Sequence, residues 1–127
     1  MGKKRFEIEY AVNSSPKVLY ARLNTASGLS EWFADDVILE NNIFTFIWEG
    51  TAQRAEKVLH KDNKVVRYRW LDEEDDSYFE FKIIKRDLTG DVALLVTDFA
   101  DEDEVEDAKD LWNKQIEQLC TLLGSGH

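Results

Sequence analysis

The sequence predicts an α+β fold in which about seven mostly antiparallel strands lie against one long C-terminal helix. Two patterns predict it. Through most of the chain from Phe6 to Phe99, apolar and polar residues alternate, which is the period of strands with one buried face. From Glu102 to Leu123, apolar residues recur at three- and four-residue steps, the period of a helix with one buried face. A sheet that packs on such a helix can enclose a cavity between the two.

The first strand and two short helices are predicted before residue 36. The strand alternates Phe6, Ile8, Tyr10 and Val12 with Glu7, Glu9 and Ala11. Ser15 precedes Pro16, the order of an N-cap followed by proline at the first helical position, so a helix should run from Pro16 to about Leu23. A second short helix should begin near Ser27 and carry Leu29, Trp32 and Phe33.

Six further strands are predicted, joined by short turns. They run from Val37 to Glu40, Phe44 to Trp48, Thr51 to His60, Val66 to Trp70, Phe79 to Ile84 and Val92 to Phe99. Asn41 and Asn42 tolerate positive φ and predict a tight hairpin, while Gly50 indicates a bulge or a bend. Because short turns join neighbouring strands, the pairing should be mostly antiparallel.

The last helix combines an apolar stripe with an acidic start. The stripe consists of Val105, Ala108, Leu111, Trp112, Ile116, Leu119 and Leu123. The acidic residues are Asp101, Glu102, Asp103, Glu104, Glu106, Asp107 and Asp110. Negative charge at a helix start is favoured by the helix dipole, so this cluster predicts stabilisation of the helix and solubility. The alternatives are a cation site, which lacks the oxygen spacing of a calcium-binding loop, and a surface for a basic partner protein.

Composition restricts the classes of function. The 127 residues suit a single domain spanning residues 1–127, and the formal charge of −10 disfavours binding to nucleic acid. A single cysteine, Cys120, excludes an intramolecular disulfide and is typical of a cytoplasmic protein. Charged residues interrupt the N-terminal segment, and no apolar run is long enough to span a membrane, so we expect neither secretion nor a membrane span.

The chain resembles the START-like, or helix-grip, superfamily, which includes ligand carriers of the birch-pollen-allergen (Bet v 1-like) type and polyketide cyclases. It is most similar to the branch homologous to the C-terminal domain of the heat-shock-protein-90 ATPase activator. The resemblance is carried by Phe6 to Tyr10, Ser15 to Tyr20, Leu29 to Phe33, Phe46 to Gly50, Val66 to Trp70, and Leu111 with Trp112.

This resemblance implies a seven-stranded antiparallel sheet curved around the C-terminal helix, with two short helices closing a hydrophobic pocket. Members of the superfamily bind lipids, hormones or polyketides, some catalyse cyclisation or hydration, and some assist chaperones. Because one scaffold carries several activities, the resemblance implies the fold more firmly than the function.

An aromatic set forms the candidate ligand site. The candidate residues are Trp32, Phe33, Phe46, Trp48, Trp70, Phe81, Trp112 and Ile116. Ligand pockets are walled by aromatic and aliphatic side chains with few polar groups, so these residues predict a cavity for an apolar molecule. The alternative is that the same side chains fill the core, since each aromatic ring buries a large area. Trp112 is the residue at which the two interpretations differ most.

The arginines and histidines give weaker evidence of a functional site than the aromatic residues do. Arg54, Arg67 and Arg69 should lie on the outer face, paired with Glu56 or Glu80, unless a local change of register turns one towards a ligand carboxylate. Neither His60 nor His127 is placed with a nucleophile or a second metal ligand, so no cofactor or metal is expected.

Three functions follow from these patterns. The first is non-catalytic binding of a small hydrophobic or amphipathic molecule between the sheet and the last helix. The second is an acidic interaction or chaperone-associated module. The third is a cyclase or hydrolase that uses carboxylates such as Glu31, Asp35 or Glu49.

Overall fold

A computed structural model describes residues 3–124, which form one seven-stranded antiparallel sheet and three helices. The strands are β1 (Lys3–Val12), β2 (Asp36–Glu40), β3 (Ile43–Trp48), β4 (Thr51–Lys61), β5 (Val65–Trp70), β6 (Tyr78–Lys85) and β7 (Val92–Asp101). The helices are α1 (Pro16–Asn24), α2 (Ala26–Leu29) and α3 (Val105–Leu122). The predicted α+β helix-grip arrangement is thus confirmed.

The order of strands across the sheet is β1-β7-β6-β5-β4-β3-β2. Strands β2 to β7 follow one another as antiparallel neighbours, as short turns require. Strand β1 lies at the far edge beside β7, in a register that runs from Lys3 opposite Asp101 to Val12 opposite Val92. The first and last strands are therefore neighbours, and α1 and α2 carry the chain from β1 to the opposite edge.

One face of the sheet carries the core and receives α3. Its apolar rows are Phe44 and Phe46 on β3, Val66 and Tyr68 on β5, Phe79 and Phe81 on β6, and Leu94 and Val96 on β7, all of them buried. From α3, Val105, Trp112, Ile116 and Leu119 are buried. The apolar face of the strands and the apolar stripe of α3 thus pack against each other in one interface.

The two short helices are held by side-chain caps. The Ser15 hydroxyl accepts a hydrogen bond from the Val18 N–H at 3.2 Å, which confirms the predicted N-cap of α1. The Thr25 hydroxyl in turn accepts from the Gly28 N–H at 2.9 Å and caps α2. The C-terminal turn of α1 is tied to the sheet because the Tyr68 hydroxyl donates to the Leu23 carbonyl at 2.7 Å.

The long helix begins later than predicted. Residues Glu102–Glu104 form a turn of 3-10 helix, and α3 proper starts at Val105. The N-cap position, Glu104, makes no side-chain capping hydrogen bond, so the acidic residues act on this helix end through charge alone. Leu111, placed in the buried stripe by its spacing, is 57% exposed because it lies at the margin of the helix–sheet contact.

Two turns and one bulge show how local backbone chemistry shapes the sheet. Asn41 and Asn42 have φ of 51° and 69°, as predicted for a tight hairpin. Glu49 and Gly50 form another such turn, with φ of 49° and 82°, so Gly50 marks a bend and not a bulge. The bulge lies instead within β4, where the register shifts between Lys57 and Leu59.

The arginines lie on the outer face, as predicted. The Arg67 guanidinium donates to the cross-strand Glu80 carboxylate at 2.8 Å, and Arg69 lies 3.6 Å from Glu56. Arg54 pairs with Asp72 at 2.8 Å and not with either predicted glutamate. No helix within residues 3–124 has the length and apolar character to cross a membrane.

Candidate functional site

A cavity of about 430 Å³ lies between the inner face of the sheet and α3, at the end of the sheet where β3 and β5 finish and β6 begins. Its apolar lining is Phe33, Trp48, Trp70, Phe79, Phe99, Ala108, Leu111 and Trp112. Its polar lining is Lys3, Gln53, Glu73, Ser77, Asp98 and Gln115. Eight of these residues are apolar and six of the eight are aromatic, a lining that is typical of small-molecule sites with convergent polar groups.

Aromatic rings in mutual contact form the walls. Phe33 is the central ring, with its centroid 5.3 Å from that of Trp48, 5.1 Å from Phe79 and 5.6 Å from Trp112. Trp70 extends the wall because its ring lies 5.0 Å from that of Phe79. Ring pairs of this kind stabilise the wall beyond the area that they bury.

The backbone of Phe33 is fixed by two donors that border the cavity. Its carbonyl accepts a hydrogen bond from the Trp48 indole at 2.7 Å and another from the Gln115 amide at 3.0 Å. The segment after α2 is thereby tied both to β3 and to α3. The tryptophan and the glutamine that border the cavity therefore also set the position of its central ring.

Asp98 supplies a carboxylate on the cavity wall. Its Oδ2 accepts a hydrogen bond from the Trp112 indole at 2.8 Å, and its Oδ1 accepts from the Phe99 N–H at 2.7 Å. Burial raises the pKa of Asp98 above its ordinary value, while those two donors and the nearby charge of Lys3 oppose the rise. The side chain thus joins the sheet to α3 and exposes an anionic or acidic group to the cavity.

Other polar groups stand around the same space. Lys3 lies 3.5 Å from Glu73 and 3.6 Å from Asp75, so its charge is already balanced by two carboxylates. The buried Ser77 hydroxyl has no partner in hydrogen-bond geometry among residues 3–124. The hydroxyl lies close enough to the Asp75 carboxylate to lower the pKa of that group. The same carboxylate also accepts a hydrogen bond from the Ser77 backbone N–H at 3.1 Å.

The structure divides the predicted site residues into two groups. Phe33, Trp48, Trp70 and Trp112 line the cavity together. Trp32, Phe46, Phe81 and Ile116 are buried in the core and do not line it. The Trp32 indole donates to the Arg22 carbonyl at 2.9 Å, a contact that holds α1 against the segment after α2.

Asp98 was not among the residues predicted for this site. On β7 it continues the row of Leu94 and Val96, both fully buried, at the period of two that defines one face of a strand. A carboxylate in phase with buried apolar residues is a recognisable signal in a sequence, because an inward-facing charge is costly unless it is paired or functional. Gln53 is likewise in phase with the buried Ala55 on β4.

Replacing Asp98 by asparagine should change how stability depends on pH. Because the folded state raises the pKa of Asp98, it holds this proton at pH values where the unfolded chain has lost it. The contribution of Asp98 to wild-type stability therefore falls as pH rises from the ordinary carboxyl range through the raised pKa, and Asp98→Asn lacks this contribution.

Urea unfolding at acidic and at neutral pH measures this effect. We expect the free energy of unfolding of Asp98→Asn, relative to wild type, to improve as pH rises. Asp110→Asn, which removes an exposed carboxylate from α3, is the control. A difference between wild type and Asp98→Asn that is constant with pH would contradict the assignment.

A second, more open cavity of about 310 Å³ borders the first through Phe33, Trp48 and Gln115. It contains Glu31 and Asp35, two of the carboxylates considered for catalysis. Glu31 pairs with Arg22, and Asp35 accepts the Glu49 N–H at 2.7 Å, so both have structural partners.

The remaining sequence candidates lie away from the aromatic cavity. His60 is exposed on β4, and His127 lies outside the described residues. Cys120 on α3 borders a separate cavity, next to Val12 and Val92. Within residues 3–124, no group of three or more histidine, cysteine, aspartate or glutamate side chains is arranged to hold a metal ion.

Comparison with known proteins places this geometry in a family. A family model described as START-like superfamily domain matches residues 1–125. A solution NMR structure of a protein from Bacteroides fragilis is 37% identical, covers 94% of this chain and 90% of its own, and superposes with a TM-score of 0.68. A search among curated proteins gave no match.

Two further structures share the fold at lower identity. The solution structure of the Aha1 dimer from Colwellia psychrerythraea is 15% identical, covers 94% of this chain and 96% of its own, and has a TM-score of 0.80. A crystal structure of a protein from Mesorhizobium loti is 18% identical, covers 98% of this chain and 99% of its own, and has a TM-score of 0.80. From its sheet order, its long C-terminal helix and the match over residues 1–125, this chain belongs to the START-like superfamily.

Proposed function

We propose that this domain binds a small hydrophobic or amphipathic molecule, without chemical change, in the cavity between the sheet and α3. The observation that carries the proposal is the cavity of about 430 Å³ with six aromatic side chains in its lining. Its volume falls in the range of sites for small molecules, roughly 300 to 1,000 Å³. A module that worked only through its acidic surface would not require an open space beside α3.

Binding would draw on burial of apolar surface, with a few polar groups setting the orientation. Transfer of apolar area out of water contributes about 25 cal/mol per Å². Gln53, Ser77 and Asp98 offer polar atoms along one part of the lining. An amphipathic molecule would place its polar end towards them and its apolar part against Phe33, Trp48 and Trp70.

A cyclase or hydrolase is the second candidate, because it would need an ionisable group of raised pKa in the cavity, and Asp98 is one. Both oxygens of Asp98 already accept hydrogen bonds, and the lining contains neither histidine nor cysteine. This favours an anchoring role over proton transfer. Conversion of a bound ligand by wild type, and its loss in Asp98→Asn, would instead favour the enzyme.

Filling the cavity tests the binding proposal. Ala108 on α3 lines the cavity and is half-buried, so Ala108→Phe places a ring in the space that a ligand would occupy. Displacement of roughly 60 Å² of apolar contact corresponds to about 1.5 kcal/mol, slightly more than a tenfold loss of affinity. We therefore expect Ala108→Phe to weaken binding at least about tenfold.

The measurement is a lipid and metabolite screen, with octanol as a neutral reference, followed by tryptophan fluorescence and NMR shifts. Three tryptophans in the lining would report on binding directly. Ala21→Phe makes the same change at an exposed position of α1 and should leave affinity unchanged. Absence of any saturable binder, or equal affinity in the two variants, would contradict the proposal.

A further inference from the structure

We propose that the ligand of this cavity carries a cationic amine or ammonium group, held by Asp98 and by the faces of the surrounding aromatic rings. This inference rests on the proposed binding function and specifies the chemical class of the ligand. It follows from four observations: the kind of rings in the lining, the position of the carboxylate among them, the balance of charge around the cavity, and a buried hydroxyl on the same lining.

The lining is rich in aromatic rings. Trp48, Trp70 and Trp112, with Phe33, Phe79 and Phe99, supply three indoles and three phenyl rings. The face of an aromatic ring is negative, and tryptophan attracts a cation more strongly than tyrosine or phenylalanine. An aliphatic lining would bury a neutral chain equally well, so the abundance of tryptophan specifically favours a cation.

The carboxylate of Asp98 lies among these rings. It contacts the indole N–H of Trp112 at 2.8 Å, and the Trp112 ring lies 5.6 Å from that of Phe33 and 6.4 Å from that of Phe79. Each Asp98 oxygen accepts one hydrogen bond in the described structure, and a carboxylate oxygen has room for a second. An ammonium N–H could take that position and gain a charge-assisted hydrogen bond.

The charges around the cavity favour a cation and disfavour an anion. Asp98 and Glu73 are the acidic residues of the lining and Lys3 the basic one. Lys3 is already paired with Glu73 and Asp75, at 3.5 and 3.6 Å, so it has little attraction left for a ligand carboxylate. A fatty acid would thus bring its charge to an acidic wall, whereas an amine would neutralise it.

The Ser77 hydroxyl adds an acceptor on the same lining. It is buried and lies close enough to the Asp75 carboxylate to lower the pKa of that group. Its lone pairs are suited to a donor, and an ammonium group has several donors and no acceptor. A ligand amine would therefore find, besides Asp98, a second acceptor on the lining.

Three probes with the same alkyl chain separate head-group chemistry from burial. Octylamine, octanol and octanoate are titrated into the protein at neutral pH and followed by tryptophan fluorescence and calorimetry. We expect octylamine to bind about 10- to 100-fold tighter than octanol, the range of a hydrogen bond to a charged group, and octanoate to bind most weakly.

Two variants test the groups that are assigned to the cation. Asp98→Asn removes the charge and keeps one of the two acceptor oxygens, and should reduce octylamine affinity about 10-fold or more with little change for octanol. Trp70→Leu keeps an apolar wall without an aromatic face and should weaken octylamine several-fold more than octanol. Asp110→Asn removes an exposed charge on α3, away from the lining, and should leave all three affinities unchanged.

The outcomes distinguish this inference from the function on which it rests. If octanol or octanoate binds saturably and at least as tightly as octylamine, the proposal of a cationic ligand is wrong and the proposed binding function is retained. Equal losses for octylamine and octanol in Asp98→Asn assign Asp98 a structural role through Trp112 and also overturn it. If none of the three probes binds saturably, both the cation and the apolar binding site are wrong.

Discussion

Replacing Trp112 by alanine is expected to lower the free energy of unfolding by about 3 to 5 kcal/mol, the range for removal of a large buried aromatic side chain. Trp112 is 5% exposed, and its ring lies 5.6 Å from Phe33 and 5.8 Å from Phe81. The substitution removes this packing between α3 and the sheet. It also removes the indole donor to Asp98, so this largely buried carboxylate loses one of its hydrogen bonds.

Trp112→Phe separates the two contributions, because phenylalanine keeps a ring and removes the donor. We expect it to cost about 1 to 3 kcal/mol, the penalty for a buried acceptor that loses its partner. Urea denaturation followed by circular dichroism measures both variants against wild type. A loss below about 1 kcal/mol for Trp112→Ala would mean that the ring serves the cavity alone and contributes little to the core.

The second large effect is expected at Gly28, where even a methyl group has no room. A Cβ atom there would lie 2.5 Å from the Ala21 carbonyl oxygen, 2.8 Å from the Arg22 Cα and 2.8 Å from the Thr25 hydroxyl. Two of these three atoms belong to the backbone of α1, so a side-chain rotation cannot relieve the overlap. Gly28→Ala must move α2 away from α1 and disturb the Thr25 cap.

We expect Gly28→Ala to lower the free energy of unfolding by about 2 to 4 kcal/mol, the sum of overpacking and a weakened cap. Ser27→Ala, at the exposed neighbouring position, should change it by less than about 0.5 kcal/mol. Thermal and urea denaturation of both variants provide the comparison. Equal stability of Gly28→Ala and wild type would mean that the two helices are not in close contact.

The fold was predictable because local signals and burial agree along most of the chain. The alternation in β3, β5 and β6 predicted which side chains face α3, and Phe44, Phe46, Tyr68, Phe79 and Phe81 are all fully or almost fully buried. Ser15 before Pro16 and the Asn41–Asn42 pair predicted a helix start and a hairpin from backbone preferences alone. The bulge near Val58 carries no comparable signal, since the residues around it have no special backbone preference.

The cavity was only partly predictable, because periodicity shows which face of a strand a side chain lies on but not where along that face the packed core ends and the cavity begins. Phe46 and Trp48 share one face of β3, yet Phe46 is fully buried and Trp48 borders the cavity. Which end of the helix–sheet interface stays open depends on where α3, the segment after α2 and the β5–β6 loop meet. Those contacts join residues far apart in sequence, such as Gln115 and Phe33.

Asp98 shows a different limit of prediction from the sequence. Its phase on β7 could be read from Leu94 and Val96, but an acidic residue near a strand end is usually taken as the start of a solvent-exposed turn. The charge is tolerated on the inner face with the help of Trp112 on α3 and Lys3 on β1, and both lie far from Asp98 in the sequence or on another element. The tryptophan was predicted and its acceptor was not.

The position of β1 at the far edge of the sheet has a consequence for the kinetics of folding. Strands β2 to β7 pair with their neighbours in sequence, so each hairpin closes only a short loop. Strand β1 must find β7 across all the intervening strands, and this long closure raises contact order and slows folding. Because Lys3 of β1 lines the cavity, the lining is complete only when this long-range pairing has formed.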